Sequence, residues 1–340
     1  MSPARRALVT GATGFLGQAL AHRLQGAGWE VVAFGRNEAV GARLAAAGMR
    51  FFRGDLADAA AVEAAAAGAS HVFHSGALSS PWGRAADFEA ANVAGTRHVI
   101  AACERHGVER LVHVSTPSLY FDGRHRLAIR EDEPLPARGI NVYAETKRRA
   151  EGLVDAAAAR GLPVVTLRPR ALFGPGDTTL LPRLVRANAR GFLPLIDGGR
   201  ALTDVTYVDN VVDALLAAAA AGPEALGRHY NVSNGEPMPL IDLLSMLFGR
   251  LALPMNGRAV PYAVAWALAA GLEAAAHATG GREPVLTRYT VGVLARTQTL
   301  DLTAARRELG YAPRVSVAEG LERFAAWWEA EGASGGPSRG

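Results

Sequence analysis

Short apolar runs alternate with longer, alanine-rich or amphipathic stretches over the first half of the chain. Runs rich in β-branched and aromatic residues predict strands, and the longer stretches between them predict helices. Regular alternation of this kind is typical of a parallel sheet that helices cover on both faces. We therefore predict an α/β fold with a doubly wound parallel sheet. The predicted strands are residues 7–10, 30–34, 49–53, 71–75, 110–115 and 163–167, and the predicted helices are about 15–27, 38–47, 58–67, 84–106 and 142–160.

The first predicted strand runs into a glycine-rich turn, VTGATGFLG at residues 9–17, and then into a helical pattern. Gly11, Gly14 and Gly17 permit a tight turn, close approach of the backbone to a pyrophosphate, and close helix–strand contact. The free N–H groups at the start of the following helix favour an anion. The spacing is G-x-x-G-x-x-G, and its place between a strand and a helix predicts a Rossmann-type dinucleotide site.

The second predicted strand ends in Gly35-Arg36-Asn37. A site for NAD(H) usually has Asp or Glu here, about 20 residues after the glycines, to bind the ribose 2′-hydroxyl. No carboxylate stands at this strand end to repel a 2′-phosphate, and the Arg36 guanidinium can pair with one. The pattern favours NADP(H) as the cofactor and leaves NAD(H) open, because Glu38 lies nearby.

Two motifs further along the chain suggest proton-transfer chemistry. Tyr143 and Lys147 are four residues apart in a helical stretch, so they share one face. A nearby ammonium favours the phenolate and lowers the pKa of a tyrosine from about 10, so the pair can exchange a proton with an alcohol or a carbonyl. Thr116 follows a predicted strand and can face the cofactor crevice, or it can simply cap a turn.

After Arg168 the alternation loosens, and residues 169–200 and 235–290 are richer in proline and glycine. Short strands are predicted at 203–208 and 229–232. We therefore predict a dinucleotide-binding domain over 1–168 and 201–234 and a smaller, mostly helical substrate-binding region over 169–200 and 235–330. The Gly/Ser/Pro-rich residues 331–340 predict a disordered tail.

Composition excludes several classes of protein. The 340 residues are 49% hydrophobic and 20% charged, as expected of a globular chain with a large core. The net charge of +4 suits an anionic cofactor, but no basic stripe interleaved with aromatic residues points to nucleic acid. The single Cys103 excludes an intrachain disulfide, and the histidines lack metal-ligand spacing, so we expect no metal. Arg5 and Arg6 enter the first strand without a signal-peptide pattern, which predicts a cytoplasmic protein.

One long apolar segment, residues 259–278, is interrupted by Glu273 and His277 and falls short of a membrane-spanning helix. It predicts a buried or partly exposed helix. The alternative is a wall or lid for an apolar substrate, with peripheral contact to a membrane surface.

Motifs spread over nearly the whole chain resemble the extended short-chain dehydrogenase/reductase superfamily. Within it, STPS, RPR-x-x-FGPGD and ARRELGY are most similar to the 3β-hydroxysteroid dehydrogenase branch, which includes sterol-4-carboxylate dehydrogenases and 2-alkyl-3-oxoalkanoate reductases. The motifs are TGATGFLG, GDLAD at 54–58, HSGA at 74–77, NVAGT at 92–96, STPSLY at 115–120, YAETK at 143–147, LRPRALFGPGD at 167–177, VTYVDN at 205–210, YNVSNGEP at 230–237 and ARRELGY at 305–311.

The resemblance implies roles for particular residues. Tyr143 would be the general acid/base, Thr116 the catalytic Ser/Thr, and Lys147 would bind the nicotinamide ribose and lower the pKa of the tyrosine. Phe121 follows Tyr120 where relatives often have glycine, which reshapes the substrate mouth. The implied cofactor site comprises Gly11, Thr13, Gly14, Phe15, Leu16 and Gly17 at the pyrophosphate, Arg36, Asp55 and Leu56 at the adenosine, Ala77 and Asn92 at the ribose side, and Lys147, Pro169 and Leu172 towards the nicotinamide.

Three functions remain in competition. The leading hypothesis is an NADP(H)-dependent oxidoreductase that interconverts a secondary alcohol and a ketone on an apolar, steroid-like or 3-oxoacyl substrate. The second is a nucleotide-sugar epimerase, with Arg183, Arg190 and Arg200 as candidates to hold a diphosphate. The third is a cofactor-sensing protein without turnover, which the presence of both Tyr143 and Lys147 disfavours. All three hypotheses leave open whether the protein forms a homodimer.

Overall fold

The computed structural model describes residues 5–279 and 283–333. Its strands are β1 (Arg6–Thr10), β2 (Glu30–Gly35), β3 (Arg50–Arg53), β4 (His71–His74), β5 (Arg110–Val114), β6 (Arg126–Ile129), β7 (Val164–Pro169), β8 (Leu172–Phe173), β9 (Leu193–Ile196), β10 (Leu202–Thr203), β11 (Thr206–Tyr207), β12 (His229–Val232), β13 (Met238–Pro239), β14 (Gly257–Val260) and β15 (Gln298–Leu300). Its α-helices are α1 (Phe15–Gly26), α2 (Glu38–Ala46), α3 (Ala59–Ala66), α4 (Ala85–Phe88), α5 (Gly95–His106), α6 (Val142–Ala159), α7 (Leu180–Ala189), α8 (Val208–Ala220), α9 (Leu240–Arg250), α10 (Tyr262–Thr279), α11 (Arg288–Ala295), α12 (Thr303–Leu309) and α13 (Val317–Ala333).

The central sheet has the strand order β12-β7-β5-β4-β1-β2-β3 within the described residues. All of its neighbouring strands pair in parallel. The order reverses between β1 and β4, and in sheets of this kind the ligand crevice lies outside the carboxyl ends of the strands at that point. The predicted α/β, Rossmann-type doubly wound fold is confirmed.

Helices cover both faces of this sheet, and successive strand residues point to opposite faces. Val9 of β1 packs in one core with Leu20 of α1 and Leu215 of α8. Its neighbour Leu8 packs in the other core with Cys103 of α5, beside α3 and α6. The two cores hold β1 and β4 rigidly, so the loops at their carboxyl ends have fixed positions.

Several boundaries differ from the predicted ones. The predicted helix 84–106 contains a π-helical turn over Glu89–Ala94, between α4 and α5. The predicted strand 203–208 divides into the ends of β10 and β11, and Val208 already belongs to α8. Residues 331–333 continue α13 rather than starting a tail, and residues 334–340 lie outside the described part of the chain.

The two predicted regions are joined by pairs of short strands. β11 pairs with β8, and β15 pairs with β6. β6 lies within the predicted dinucleotide-binding domain, whereas β15 lies within the predicted substrate region. The pairing of β15 with β6 therefore brings the residues around 298 beside a strand of the predicted dinucleotide-binding domain. The division of the chain into two regions stays a prediction.

The apolar segment 259–278 is not one helix. Its first residues belong to β14, which pairs with β9, and α10 begins after Pro261. Ala265 and Ala269 of α10 pack with Val291 and Ala295 of α11, which places small side chains in the contact and leaves Val264 exposed. Across the described residues, no helix combines the length and the hydropathy that crossing a membrane requires.

Candidate active site

The glycine loop forms a concave backbone surface between β1 and α1. Gly11 has a φ of +70°, and a Cβ on it would lie 2.6 Å from the Cα of Gly76. A Cβ on Gly17 would lie 2.1 Å from the carbonyl oxygen of Gly11. Helix α1 begins at Phe15 with no side-chain cap from Gly14, so its first N–H groups remain free for an anion. The loop therefore fits a pyrophosphate.

The end of β2 supplies cations rather than a carboxylate. Gly35 pairs in register with Arg53 of β3, and Arg36 lines the cleft. The Arg36 side chain is 73% exposed, and its Nη1 lies 3.4 Å from Oδ2 of Asp55. Glu38, which left NAD(H) open, has its carboxylate 2.8 Å from Nη1 of Arg53. Arg36 thus lies in the cleft at the end of β2, whereas Arg53 does not line it.

Asn92 does not line the cleft as the other predicted cofactor residues do. Its side chain is buried in the π-helical turn, where Oδ1 accepts the N–H of Leu78 at 2.7 Å. Its Nδ2 donates to the carbonyl oxygen of Leu78 and to the hydroxyl of Thr146, each at 3.1 Å. Asn92 therefore fixes the loop after β4, including the cleft residue Ala77, against α6.

The predicted catalytic hydroxyls meet at the carboxyl end of β5. Thr116 caps a short 3₁₀ helix, Pro117–Tyr120, and its Oγ1 accepts the N–H of Ser118 at 3.1 Å. The side chain of Thr116 also lies beside the phenol of Tyr143, where it acts to lower the pKa of that phenol. Thr116 can therefore cap the turn and also lie beside the phenol. Thr116 and Tyr143 both line the cleft.

Burial raises the pKa of Tyr143, and the side chain of Thr116 only partly opposes this rise. The expected lowering of this pKa by Lys147 is not seen: burial raises the pKa, and only Thr116 acts to lower it. The phenol is therefore neutral at physiological pH and holds a proton that it can donate. The hydroxyl of Thr116 lies beside the phenol and donates to Oγ of Ser118 at 3.1 Å, so a carbonyl oxygen there would lie close to both the phenol and the hydroxyl of Thr116.

Lys147 is buried one helical turn after Tyr143. Its Nζ donates to the carbonyl oxygen of Val114 at 2.7 Å, which holds the ammonium at the end of β5. Burial lowers the pKa of Lys147 to about 8, and the negative charge of Glu151 limits the fall. The ammonium therefore persists at neutral pH, within a cleft of about 660 Å³.

A second, apolar cavity of about 200 Å³ opens beside these groups. Thr116, Ser118 and Tyr289 line both the cleft and the cavity. The Tyr289 hydroxyl lies 2.8 Å from Oγ of Ser118. The apolar walls come from α7, α9 and α11 and the segments near them: Phe121, Leu180, Leu181, Leu184, Val205, Leu240, Leu243, Val293 and Leu294.

As predicted, residues 259–278 contain a partly exposed helix, whereas the lining of the cavity does not support the alternative of a wall or lid. None of these residues lines the cavity in the described part of the chain, because α11 lies between α10 and the ligand space. The cleft itself gathers the predicted residues Gly11, Thr13, Gly14, Phe15, Leu16, Gly17, Arg36, Asp55, Leu56, Ala77, Thr116, Tyr143, Lys147, Pro169 and Leu172.

Tyr289, which lines both the cleft and the cavity, was not predicted as a site residue. Tyr289 stands in the first turn of α11, where Thr287 and Thr290 form a capping box. That T-x-x-T pattern is a local signal for a helix start, and it could have placed Tyr289 on an exposed first turn. Arg170 directly follows Pro169, and its chemistry is visible in the RPR motif.

Residues 7–233 match the family model described as the NAD dependent epimerase/dehydratase family. The chain belongs to this family. It is 40% identical over 325 residues to a 2-alkyl-3-oxoalkanoate reductase of Stenotrophomonas maltophilia, covering 94% of this chain and 98% of the relative. It is 37% identical over 319 residues to a 4-hydroxy-2-methyl-3-oxo-4-farnesyl-3,4-dihydroquinoline-1-oxide ketoreductase of Stigmatella aurantiaca, covering 93% and 95%.

Among solved structures, MoeE5 in complex with UDP-glucose and NAD superposes with a TM-score of 0.77 at 29% identity, covering 96% of this chain and 99% of that one. The predicted family resemblance is thus confirmed. The relatives are named as reductases, which confirms the predicted enzyme class, an NAD(P)-dependent oxidoreductase acting on CH–OH groups.

Proposed function

We propose that this family member is an NADP(H)-dependent oxidoreductase that interconverts a secondary alcohol and a ketone on an apolar substrate. The observation that carries the proposal is the apolar cavity that opens at Thr116, Ser118 and Tyr289, beside the phenol of Tyr143. A ketone with its oxygen at Tyr143 would extend its apolar part into this cavity. The reductase names of the relatives support the same reaction class.

Each residue of the site has a proposed part in ketone reduction. The dinucleotide supplies the hydride when it is bound. Tyr143 donates its phenolic proton to the carbonyl oxygen, which suits a phenol kept neutral by burial. The hydroxyl of Thr116 stabilises the negative charge that develops on that oxygen. Lys147 stays charged at neutral pH, and its ammonium donates to the nicotinamide ribose of the bound dinucleotide.

Substrate size provides the direct test. Each methylene that enters an apolar pocket contributes about 0.8 kcal/mol, or nearly fourfold in affinity. Across a series of ketones of increasing chain length with NADPH, we expect kcat/KM to rise until the cavity is full. The cavity of about 200 Å³ predicts an early plateau, because pockets for drug-sized ligands span roughly 300–1,000 Å³.

The same assay separates the epimerase alternative. UDP-glucose and UDP-galactose should be neither interconverted nor able to compete with a ketone. Arg183 already pairs with Glu283 at 2.9 Å, so it is not free to hold a diphosphate. Clean interconversion of the two UDP-sugars, or no dependence on ketone size, would reverse the assignment in favour of the epimerase.

Cofactor choice is tested at the end of β2. Arg36→Asp should weaken NADPH binding by roughly tenfold to a hundredfold, because it removes a charge-assisted contact to the 2′-phosphate and adds repulsion. NADH binding should change little. Fluorescence titration of both dinucleotides measures the two affinities.

Arg43→Asp is the matched control for this substitution. Arg43 is an exposed cation in the last turn of α2, so the same change in net charge is made away from the cleft. We expect it to leave both affinities unaltered. If the wild type binds NADH and NADPH with equal affinity, and Arg36→Asp changes neither affinity, then Arg36 does not recognise the 2′-phosphate.

A further inference from the structure

A row of buried, hydrogen-bonded residues connects the glycine loop with helix α6. At its centre is His74, the last residue of β4, which is 2% exposed. Its Nδ1 lies 2.8 Å from Oγ1 of Thr10 at the end of β1, and its Nε2 lies 3.0 Å from Oγ1 of Thr96 in α5. Asn92 and Thr146 continue the row as far as α6. These five residues are called the buried row below.

The partners of the two threonines determine which ring nitrogen of His74 carries the proton. Thr96 donates its hydroxyl hydrogen to the carbonyl oxygen of Asn92 at 2.6 Å, so its oxygen must accept from Nε2 of His74. A neutral imidazole has one N–H, which leaves Nδ1 as the acceptor for the hydroxyl of Thr10. Burial, and to a smaller extent the charge of Lys147, lowers the pKa of His74 to about 3. The ring is therefore neutral at physiological pH, with its proton on Nε2.

At one end, the buried row fixes the floor of the dinucleotide cleft. The N–H of Gly76 donates to Oγ1 of Thr10 at 3.2 Å, and Oγ of Ser75 donates to the carbonyl oxygen of Thr10 at 2.7 Å. Gly11 follows Thr10 and lies so close to Gly76 that it has no room for a Cβ. Gly11, Ser75 and Gly76 all line the cleft. The hydroxyl of Thr10 therefore helps to hold β1 and β4 together where the pyrophosphate loop begins.

At the other end, the buried row reaches the turn that carries the phenol. Nδ2 of Asn92 donates to Oγ1 of Thr146 at 3.1 Å. The hydroxyl of Thr146 in turn lies 3.0 Å from the carbonyl oxygen of Tyr143, to which it can donate. Thr96 holds Asn92 from the opposite side. The N–H of His74 therefore acts on the position of Tyr143 through three further residues.

We propose that His74, with its proton on Nε2, is a positioning residue that holds the glycine loop and the first turn of α6 at a fixed relative position. This inference rests on the proposed function, because hydride transfer requires the dinucleotide and Tyr143 to meet at one carbonyl group. Small errors in such an alignment are costly in rate. The imidazole accepts at Nδ1 and donates at Nε2 at the same time, which the shorter or longer side-chain amide of asparagine or glutamine cannot do across the same distance.

The position of the ring proton is measured directly by nitrogen NMR on protein with isotope-labelled histidine. The His74→Asn variant identifies the His74 signals among those of the nine histidines. We expect a protonated Nε2 and a bare Nδ1, unchanged over the range of about pH 5 to 8 in which an unperturbed histidine changes charge. A proton on Nδ1, or a ring that titrates in this range, would overturn the inference.

Two substitutions of His74 divide the buried row into its halves. His74→Asn keeps an acceptor near the position of Nδ1 for Thr10 and loses the donor to Thr96. It should leave NADPH affinity nearly unaltered and lower kcat at saturating NADPH by about threefold to tenfold, the scale of one lost hydrogen bond. His74→Gln keeps a donor for Thr96 and loses the acceptor for Thr10. It should weaken NADPH binding by a similar factor and lower kcat less.

The threonines allow the same division without a change to the imidazole. Thr96→Val should reproduce the effects of His74→Asn, and Thr10→Val should reproduce those of His74→Gln, because valine keeps the shape of threonine and removes its hydroxyl. Fluorescence titration with NADPH and steady-state kinetics measure the two effects in all four variants. If every variant impairs binding and turnover in the same proportion, His74 only supports the fold and the inference is wrong.

His113 provides the matched control. It is 0% exposed, and it stacks on His74 with ring centroids 5.7 Å apart. Both of its ring nitrogens lack a hydrogen-bond partner, so it does not belong to the buried row. His113→Asn and His113→Gln should therefore resemble each other in both measurements. An opposite pattern in this pair, like that expected at His74, would show that the pattern reflects side-chain length and would overturn the inference.

Dinucleotide binding separates this inference from the proposed function, because it needs no turnover. If the wild type binds NADPH and reduces no ketone, only the proposed function fails. The inference is then decided by the proton on Nε2 and by weaker NADPH binding in His74→Gln and Thr10→Val but not in His74→Asn and Thr96→Val. Normal ketone reduction by the wild type, together with a proton on Nδ1, overturns the inference alone.

Discussion

Tyr143→Phe should reduce kcat/KM by roughly a hundredfold or more, the usual scale for losing a general acid. The ring stays in place, so the fold and the affinity for the dinucleotide should remain nearly intact. The reason is the position of the phenol: it lies beside Thr116 in the cleft, and burial raises its pKa so that it holds a proton at neutral pH. Steady-state kinetics and fluorescence titration with NADPH measure the two effects separately.

Tyr289→Phe is the informative comparison, because both phenols line the same cleft. Tyr289 hydrogen-bonds Ser118, so its loss should alter the mouth of the cavity and raise KM more than it lowers kcat. If Tyr289→Phe is the inactive variant and Tyr143→Phe is not, the proton donor has been assigned to the wrong tyrosine.

Sequence reasoning reached the cleft because its residues follow strands. Gly11 follows β1, Arg36 follows β2 and Thr116 follows β5. In a parallel sheet the carboxyl ends of all strands meet at one edge, so motifs at those ends converge whatever the register. Local patterns and this one topological rule were sufficient to predict the residues of the dinucleotide cleft.

The residues that line the apolar cavity could not all be predicted in this way. Gln298 comes to the site because β15 pairs with β6, more than a hundred and sixty residues earlier in the chain, as in the pair of Gln298 and Arg126. Tyr289 of α11 comes to the site through its contact with Ser118. No local pattern encodes such a pairing. The contact of Arg170 with Gln298 was therefore invisible in the sequence, although Arg170 itself stood in a recognised motif.

Helix α10 shows why hydrophobicity alone does not identify the wall of a cavity. Its buried positions, Ala265, Ala269 and Glu273, are small or charged, whereas Val264 and Leu268 are more than half exposed, at 57% and 54%. The Glu273 carboxylate binds Arg288 at the start of α11 with an Nε–Oε2 distance of 2.6 Å. Close approach of α11 requires small side chains, so the larger apolar residues lie on the other face.

The buried ion pair of Glu151 and Arg168 provides the second large effect. Both side chains are 3% exposed. Arg168 donates to both carboxylate oxygens, from Nε at 3.1 Å and from Nη2, and also to the hydroxyl of Tyr120. Removing one member leaves a buried charge without its partner, which costs about 3–5 kcal/mol. Glu151→Leu should lower the free energy of unfolding by that amount in urea denaturation.

An exposed ion pair serves as the control for this predicted loss of stability. Arg105 and Glu63 are 65% and 42% exposed, so Glu63→Leu should cost about 0–1 kcal/mol. The double variant Glu151→Leu with Arg168→Met removes both buried charges and should recover most of the stability that the single variant loses. A single-variant cost no greater than that of Glu63→Leu would show that Arg168 finds another partner or water.

The pH dependence follows from the same pair. Burial raises the pKa of Glu151, but the hydrogen bonds and charge of Arg168 outweigh burial, so the pKa lies below its usual 4.5. A lowered carboxyl pKa stabilises the fold fully above the unfolded value and loses this contribution as the pH falls through the folded value. The stability gap between wild type and Glu151→Leu should therefore be constant near neutral pH and should shrink below pH 4.5. Because Arg168 also holds Tyr120, which ends the turn that Thr116 caps, the variant should lose catalytic rate together with stability. A gap that stays constant down to acid pH would mean that packing, not charge, accounts for the cost.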